Sequence, residues 1–355
     1  MKILIIQQKM IGDVLATSIL FEAIKQKYPN AEIHYVLNSH AYPAVEGNPF
    51  IDQIHFFTPE HEKSKRKLWH FANMLRMEKF DVVIDVYSKL SSNIMTLRSK
   101  AKTKISIDKG HNALIYNHTF ENKSISNSNA GLAIENRLQL LKPLDIDSNK
   151  IVRPKIYLSE SEKVRAKAFL ESNGIDLNKQ LFMIGVLGSG PDKTYPFKYM
   201  AEVIDTVVKA QPESQILFNY IPKQVADAKS IFELCKPETR SHISFDVFGK
   251  SLRDFLAITT QCDALIGNEG GAINMAKAIN IPTFTFFSPW IKKEAWNIFD
   301  DGINHVSVHL KDYDDSHYQN IDHPKELKSR ITDLYKVFKP SFFEGELKEF
   351  LKRLN

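Results

Sequence analysis

From its second residue the chain repeats one local pattern: a short apolar run, a polar turn, then a stretch whose apolar residues recur every three or four positions. Residues 2–7 form such a run, and an unbroken one fits a strand buried on both faces of a parallel sheet. After it, Leu15, Ile19, Leu20, Ala23 and Ile24 keep helical spacing until Pro29 and Asn30 stop the helix. Further strands are predicted at 32–37, 53–57, 82–86 and 104–107, with a helix over 62–77. Strand and helix in alternation imply a parallel sheet with right-handed crossovers.

The stretch 143–154, rich in Asp, Ser, Asn and Lys between two prolines, interrupts the pattern and reads as a boundary. The alternation then restarts. Helices are predicted at 159–172, 198–209, 223–234, 252–261 and 272–279, and strands at 181–186, 215–220, 264–266 and 283–287. A length of 355 residues also exceeds what one core usually serves. The expected architecture is therefore α/β, with two Rossmann-like domains over 1–150 and 151–355. Ligands of open parallel sheets bind outside the carboxyl ends of the strands, so the domains are expected to face each other across a ligand-holding cleft. Residues 342–354, with Phe343, Leu347, Phe350, Leu351 and Leu354, predict an amphipathic helix that packs on a domain, a return onto the N-terminal one included.

Charge is unevenly placed. Residues 1–150 hold 20 Lys and Arg against 15 Asp and Glu, while the remainder is balanced at 27 each, so the first half carries the whole net charge of +5. Lys63, Lys65, Arg66 and Lys67, followed by Leu68, Trp69, Phe71 and Leu75, suit an anionic, membrane-borne partner, and equally a solvated face over an apolar stripe. The neutral second half and the absence of a dedicated motif speak against nucleic acid. Cys235 and Cys262 lie far apart, which fits a reducing compartment and neither a disulfide framework nor a zinc site. No run reaches the roughly 18 apolar residues of a membrane span, and the opening run is too short for a signal peptide. A cytoplasmic protein is expected, at most peripheral on the inner membrane. His305, His309, His317 and His323 show no ligand spacing and read as ordinary core or surface residues.

Three turns carry candidate chemistry. In Gln8-Lys9-Met10-Ile11-Gly12-Asp13 only Gly12 is present of the G-x-G-x-x-G that a dinucleotide turn needs. Asp13 at the helix start reads either as a carboxylate satisfying free amides or as a general base. The second turn holds Gly188, Ser189, Gly190, Lys193 and Thr194, with amides, hydroxyls and a cation for phosphate, yet without a Walker A pattern. The third runs through Asn268, Glu269, Gly270, Gly271, Ala272 and Asn274, where a strand enters a Gly-Gly turn and a helix. Free amides and the positive helix end suit a diphosphate there, while Asn268 and Glu269 stand where sugar or ribose hydroxyls would be held. No metal-ligand cluster or cofactor motif is seen.

At these turns the sequence resembles the heptosyltransferase family, glycosyltransferase family 9, along nearly its whole length. Ile11-Gly12-Asp13-Val14 matches the family's Gly-Asp turn, and Gly188 to Pro196 its glycine-rich turn with lysine, Tyr195 standing where Trp is common. Gly249-Lys250-Ser251-Leu252 and Ile281-Pro282 to Phe287-Ser288-Pro289 match two further turns. In the family's Asp-Ser-Gly-x-x-His loop, Glu269, Gly270 and Asn274 replace Asp, Ser and His. The resemblance implies a two-domain GT-B fold and inverting transfer from a nucleotide diphosphate sugar, ADP-heptose or similar, to an anionic lipid-linked glycan such as lipopolysaccharide core. It implies Asp13 as catalytic base. Lys193 takes the place of the phosphate-contacting lysine, and Thr194 and the amides of 270–272 would stabilise the departing diphosphate. Gly12 and the Lys63 to Lys67 segment would receive the acceptor. Two other readings stay open: an epimerase or hydrolase on the same fold, and a nucleotide-sugar-binding protein without turnover.

Overall fold

A computed structural model describes residues 1–110, 114–319, 321 and 324–354. The chain divides into two compact units, Met1–Tyr157 and Leu158–Asn355. The first contains β1 (Lys2–Ile6), β2 (Glu32–Leu37), β3 (Gln53–Phe56), β4 (Val82–Asp85), β5 (Thr103–Ile107) and β6 (His118–Phe120). The second contains β7 (Leu181–Gly185), β8 (Gln215–Phe218), β9 (Ile243–Ser244), β10 (Ala264–Asn268), β11 (Thr283–Phe286) and β12 (His305–Val308).

The sheets run β3-β2-β1-β4-β5-β6 and β12-β11-β10-β7-β8-β9, with every neighbour parallel. Counted from β7, the second order repeats the first, and both are the doubly wound order whose switch point lies between the first and fourth strands. In β1, β4, β7 and β10 almost every residue is buried, as expected of strands covered by helices on both faces. This burial fixes where each strand's last residue emerges.

Several elements depart from the sequence expectation. The single helix predicted between the first strand and Pro29 is two, Ile11–Thr17 and Ile19–Lys27. The Thr17 and Ser18 hydroxyls donate to Asp13 O and Leu15 O, a back-bonding that bends helices. The predicted helix over 62–77 is also two, Pro59–Lys63 and Lys65–Met77, because Ser64 leaves helical geometry and its hydroxyl accepts from Lys67 N to cap the second. Helices Leu90–Ser99 and Leu132–Leu138 and strands β6, β9 and β12 are additional.

Packing against the first sheet is divided between its faces. Helices Lys65–Met77 and Leu90–Ser99 cover one, where Leu68, Phe71, Leu75 and Met95 meet Leu4, Ile6 and Val83. The segment before the second unit stays with the first: the Tyr28 hydroxyl donates to Leu144 O at 2.9 Å and Lys155 pairs with Glu22. The terminal helix Glu344–Lys352 is built into the second unit's own core. Phe350 and Phe343 lie 5.6 and 5.3 Å from the rings of Phe284 and Phe286, and Gln211 donates to Leu351 O. Of the four histidines, His305 and His309 are buried, His317 sits beside Asp314, and His323 lies outside the described residues.

Candidate active site

At the first switch point, Ile6 of β1 stands in register with Asp85 of β4. The chain leaves β1 through buried Gln7 and Gln8, turns at Met10 with a left-handed φ of 64°, and enters the helix Ile11–Thr17. Gly12 and Asp13 are half-buried in its first turn. Arg137 reaches Asp13 from the helix Leu132–Leu138: its Nη2 donates to Asp13 Oδ1 at 2.6 Å, its Nη1 to Ala133 O at 2.6 Å and its Nε to the Thr17 hydroxyl at 3.1 Å. Among the described residues Asp13 Oδ2 has no hydrogen-bond partner. The carboxylate is thus aimed by one oxygen and open at the other.

Asp85, fully buried, was not singled out from the sequence. It accepts from the Tyr116 hydroxyl at 2.5 Å and from Ser88 N at 2.8 Å, and burial raises its carboxyl above the usual range. Lys109 donates to Tyr87 O and Ser88 O, closing the turn after β4. The signal for it was an acid closing an apolar strand; Tyr116, 31 residues on, lies too far along the chain to be inferred.

The second switch point joins the turns after β7 and β10. Gly185 and Gly267 are register partners, and a Cβ on Gly267 would lie 2.5 Å from Gly185 O, so the strands touch where no side chain fits. Gly188 meets the same demand, with a Cβ there falling 2.1 Å from Lys193 O. The Thr194 hydroxyl donates to Gly190 O and accepts from Gly188 N. Asn268 clamps both turns, its Oδ1 accepting from Tyr195 N at 2.7 Å and its Nδ2 donating to Gly185 O at 2.9 Å. Asn268 and Thr194 therefore have a different first task from donor contact: they set the loop. Tyr195 anchors it, fully buried against Phe286 and donating its hydroxyl to Phe338 O at 2.6 Å.

Lys193 and Glu269 come together across this junction, Nζ 3.2 Å from Oε1. Oε1 is buried and accepts no aligned hydrogen bond, so burial keeps the Glu269 carboxyl above its ordinary range although Lys193 pulls it down. Trp290 holds the loop's outer side, its Nε1 and the Ser288 hydroxyl both donating to Asp192 O. Gly270 begins the helix Gly271–Ala278 without any side-chain cap, leaving its first amides for an incoming anion. Asn274 is half-buried on the first turn and Ser189 is exposed. Lys63, Lys65, Arg66 and Lys67 are exposed on the first unit, Lys67 pairing with Glu60. Lys9 pairs with Glu62 and ties that segment to the Asp13 turn. Among the described residues no group of three His, Cys, Asp or Glu side chains is placed to hold a metal ion.

The model of glycosyltransferase family 9 (heptosyltransferase) matches residues 68–325. The chain belongs to glycosyltransferase family 9. As a family 9 glycosyltransferase it is similar to lipopolysaccharide heptosyltransferase 1 of Campylobacter coli, 23% identical over 292 residues that cover 81% of this chain and 84% of that protein. Among solved structures, the family 9 glycosyltransferase of Veillonella parvula DSM 2008 matches with a TM-score of 0.76 at 17% identity, over 95% of this chain and 97% of that one. The E. coli heptosyltransferase WaaC with ADP-2-deoxy-2-fluoro heptose matches with a TM-score of 0.65 at 17% identity, over 87% and 93%. The expected α/β fold of two Rossmann-like domains is the fold of this family 9 enzyme.

Proposed function

We propose that this family 9 enzyme moves a heptose or closely related sugar, with inversion, from a nucleoside diphosphate donor such as ADP-heptose to a hydroxyl of an anionic lipid-linked glycan. The observation that carries the reading is the paired loop at the second switch point, where Lys193 and the uncapped start of the helix Gly271–Ala278 offer a cation and amides to one anion. The E. coli neighbour with ADP-2-deoxy-2-fluoro heptose supports the same donor class.

In this reading the acceptor hydroxyl attacks the anomeric carbon as the bond to the diphosphate oxygen breaks, and Asp13 takes the hydroxyl proton. Arg137 already holds Oδ1, so Oδ2 is the oxygen that receives it. The leaving diphosphate gains charge, which Lys193 and the amides of 270–272 stabilise in a fixed arrangement. Donor phosphate takes Lys193 from Glu269, freeing a carboxylate for the sugar hydroxyls. Gly12 and the Lys63 to Lys67 segment receive the acceptor's negative charge. The enzyme works in the cytoplasm, peripheral to the inner membrane that carries its acceptor. Buried, unpaired Cys235 and Cys262 fit that compartment, and no helix among the described residues is long and apolar enough to cross a membrane.

The test is product analysis by mass spectrometry with ADP-heptose, with and without lipopolysaccharide-core acceptor, for the wild type and Asp13→Asn. A glycosylated acceptor is expected, with turnover falling about 10²- to 10⁴-fold in the variant. Equal nucleotide release without acceptor would turn the reading into a hydrolase, and tight donor binding without product into a binding protein.

A further inference from the structure

The helices Lys65–Met77 and Leu90–Ser99 lie side by side on one face of the first sheet, and their outward surface has an unusual composition. Their charged residues are Lys65, Arg66, Lys67, Arg76 and Arg98, all basic. Large apolar side chains stand out between them: Trp69 is 51% exposed, Met77 76% and Leu97 56%. Arg98 lies 4.3 Å over the Trp69 ring and donates to Asn73 Oδ1, so cation and indole form one rigid platform. Beyond the ends of both helices a shallow groove continues the surface, with Arg76, Lys79, Lys100 and Lys102 around Met74 and Met77. Asp81, the acid that lines it, accepts from Lys2 N at 2.8 Å.

We infer that this two-helix face docks the first domain on a bilayer surface bearing anionic headgroups. Lysines and arginines at the level of the headgroups, with Trp, Met and Leu reaching to the acyl boundary, are what an interfacial surface needs. A water-facing surface has no use for such exposed apolar groups clustered among cations. Both helices follow strands of the parallel sheet, β3 and β4, so their first turns lie toward its carboxyl edge, the edge where Asp13 emerges. A bilayer along the helices therefore lies beside the rim that the acceptor's sugar must reach. The inference extends the lipid-linked acceptor reading but is measured without it.

The experiment is co-sedimentation of the full chain, with no sugar substrate, on vesicles of phosphatidylcholine alone and with about 30 mol% phosphatidylglycerol, whose anionic headgroups attract basic surface segments. Binding is expected on the anionic vesicles and is expected to fail at high salt. Lys79→Gln, Lys100→Gln and Lys102→Gln together should weaken it about 100-fold, and Met77→Ser with Leu97→Ser about tenfold. Both variants should keep wild-type circular dichroism and wild-type transfer to a deacylated, water-soluble acceptor. Equal binding to neutral vesicles, wild-type binding by the triple variant, or displacement by short duplex DNA at equal charge would overturn the inference. Loss of transfer activity with vesicle binding intact would instead count against the proposed function.

Discussion

Burial holds the Glu269 carboxyl above the usual range even with Lys193 3.2 Å away, so at neutral pH its ionised form works against folding. The folded chain keeps this proton to higher pH than the unfolded chain, whose ordinary value is 4.5. That contribution to stability is present below pH 4.5 and is lost as pH rises through the folded value. Glu269→Gln is expected to be more stable than wild type at pH 7, by about 1 kcal/mol or 2–4 °C in Tm, with the gain vanishing in thermal melts near pH 4. The same variant should lose activity, because the retained charge is the one that exchanges with donor phosphate at Lys193. Arg137 shows the complementary arrangement: a buried guanidinium that makes three hydrogen bonds fixes Asp13 by one oxygen and leaves the other to chemistry.

Strands and turns, rather than single side chains, decide what the donor loops can do. Asn268 ends β10 and ties it to the turn after β7, so Asn268→Ala strands Tyr195 N and Gly185 O, two buried groups. It is expected to cost about 2–5 kcal/mol in denaturant unfolding and to raise the donor KM more than it lowers kcat. At this scale much was legible from sequence. The central strands announce themselves as apolar runs because both faces are covered, and each candidate turn follows one of them. The edge strands β6, β9 and β12 stayed hidden. They are two to four residues long, and His118-Thr-Phe120 or His305-Val-Ser-Val308 carries no continuous apolar run. The helix Leu90–Ser99 hid for a related reason, its Ser and Asn side chains being buried where an apolar stripe would be sought. Pairings were beyond reach altogether. Asp13 and Arg137 are 124 residues apart and Asp85 and Tyr116 are 31 apart, and no local pattern joins them.

Across the whole molecule, the two sheets share one strand order while their turns share no sequence. A nucleotide diphosphate should therefore engage one of them only. Hydrogen exchange with ADP is expected to slow the amides of 186–194 and 269–274 while leaving 7–17 and 65–99 unchanged; equal slowing in both regions would refute the division of labour. Thermal stabilisation at 100-fold excess over Kd should approach about 2.7 kcal/mol. The repeated order also separates inheritance from specialisation. Each sheet sets its strand ends through its own buried residues, so a turn can change its tenant without unsettling the other half. Glu269 and Asn274, which the sequence resemblance pairs with the family's Asp and His, would be substitutions of that permitted kind. A designer could therefore redirect donor preference by grafting one loop.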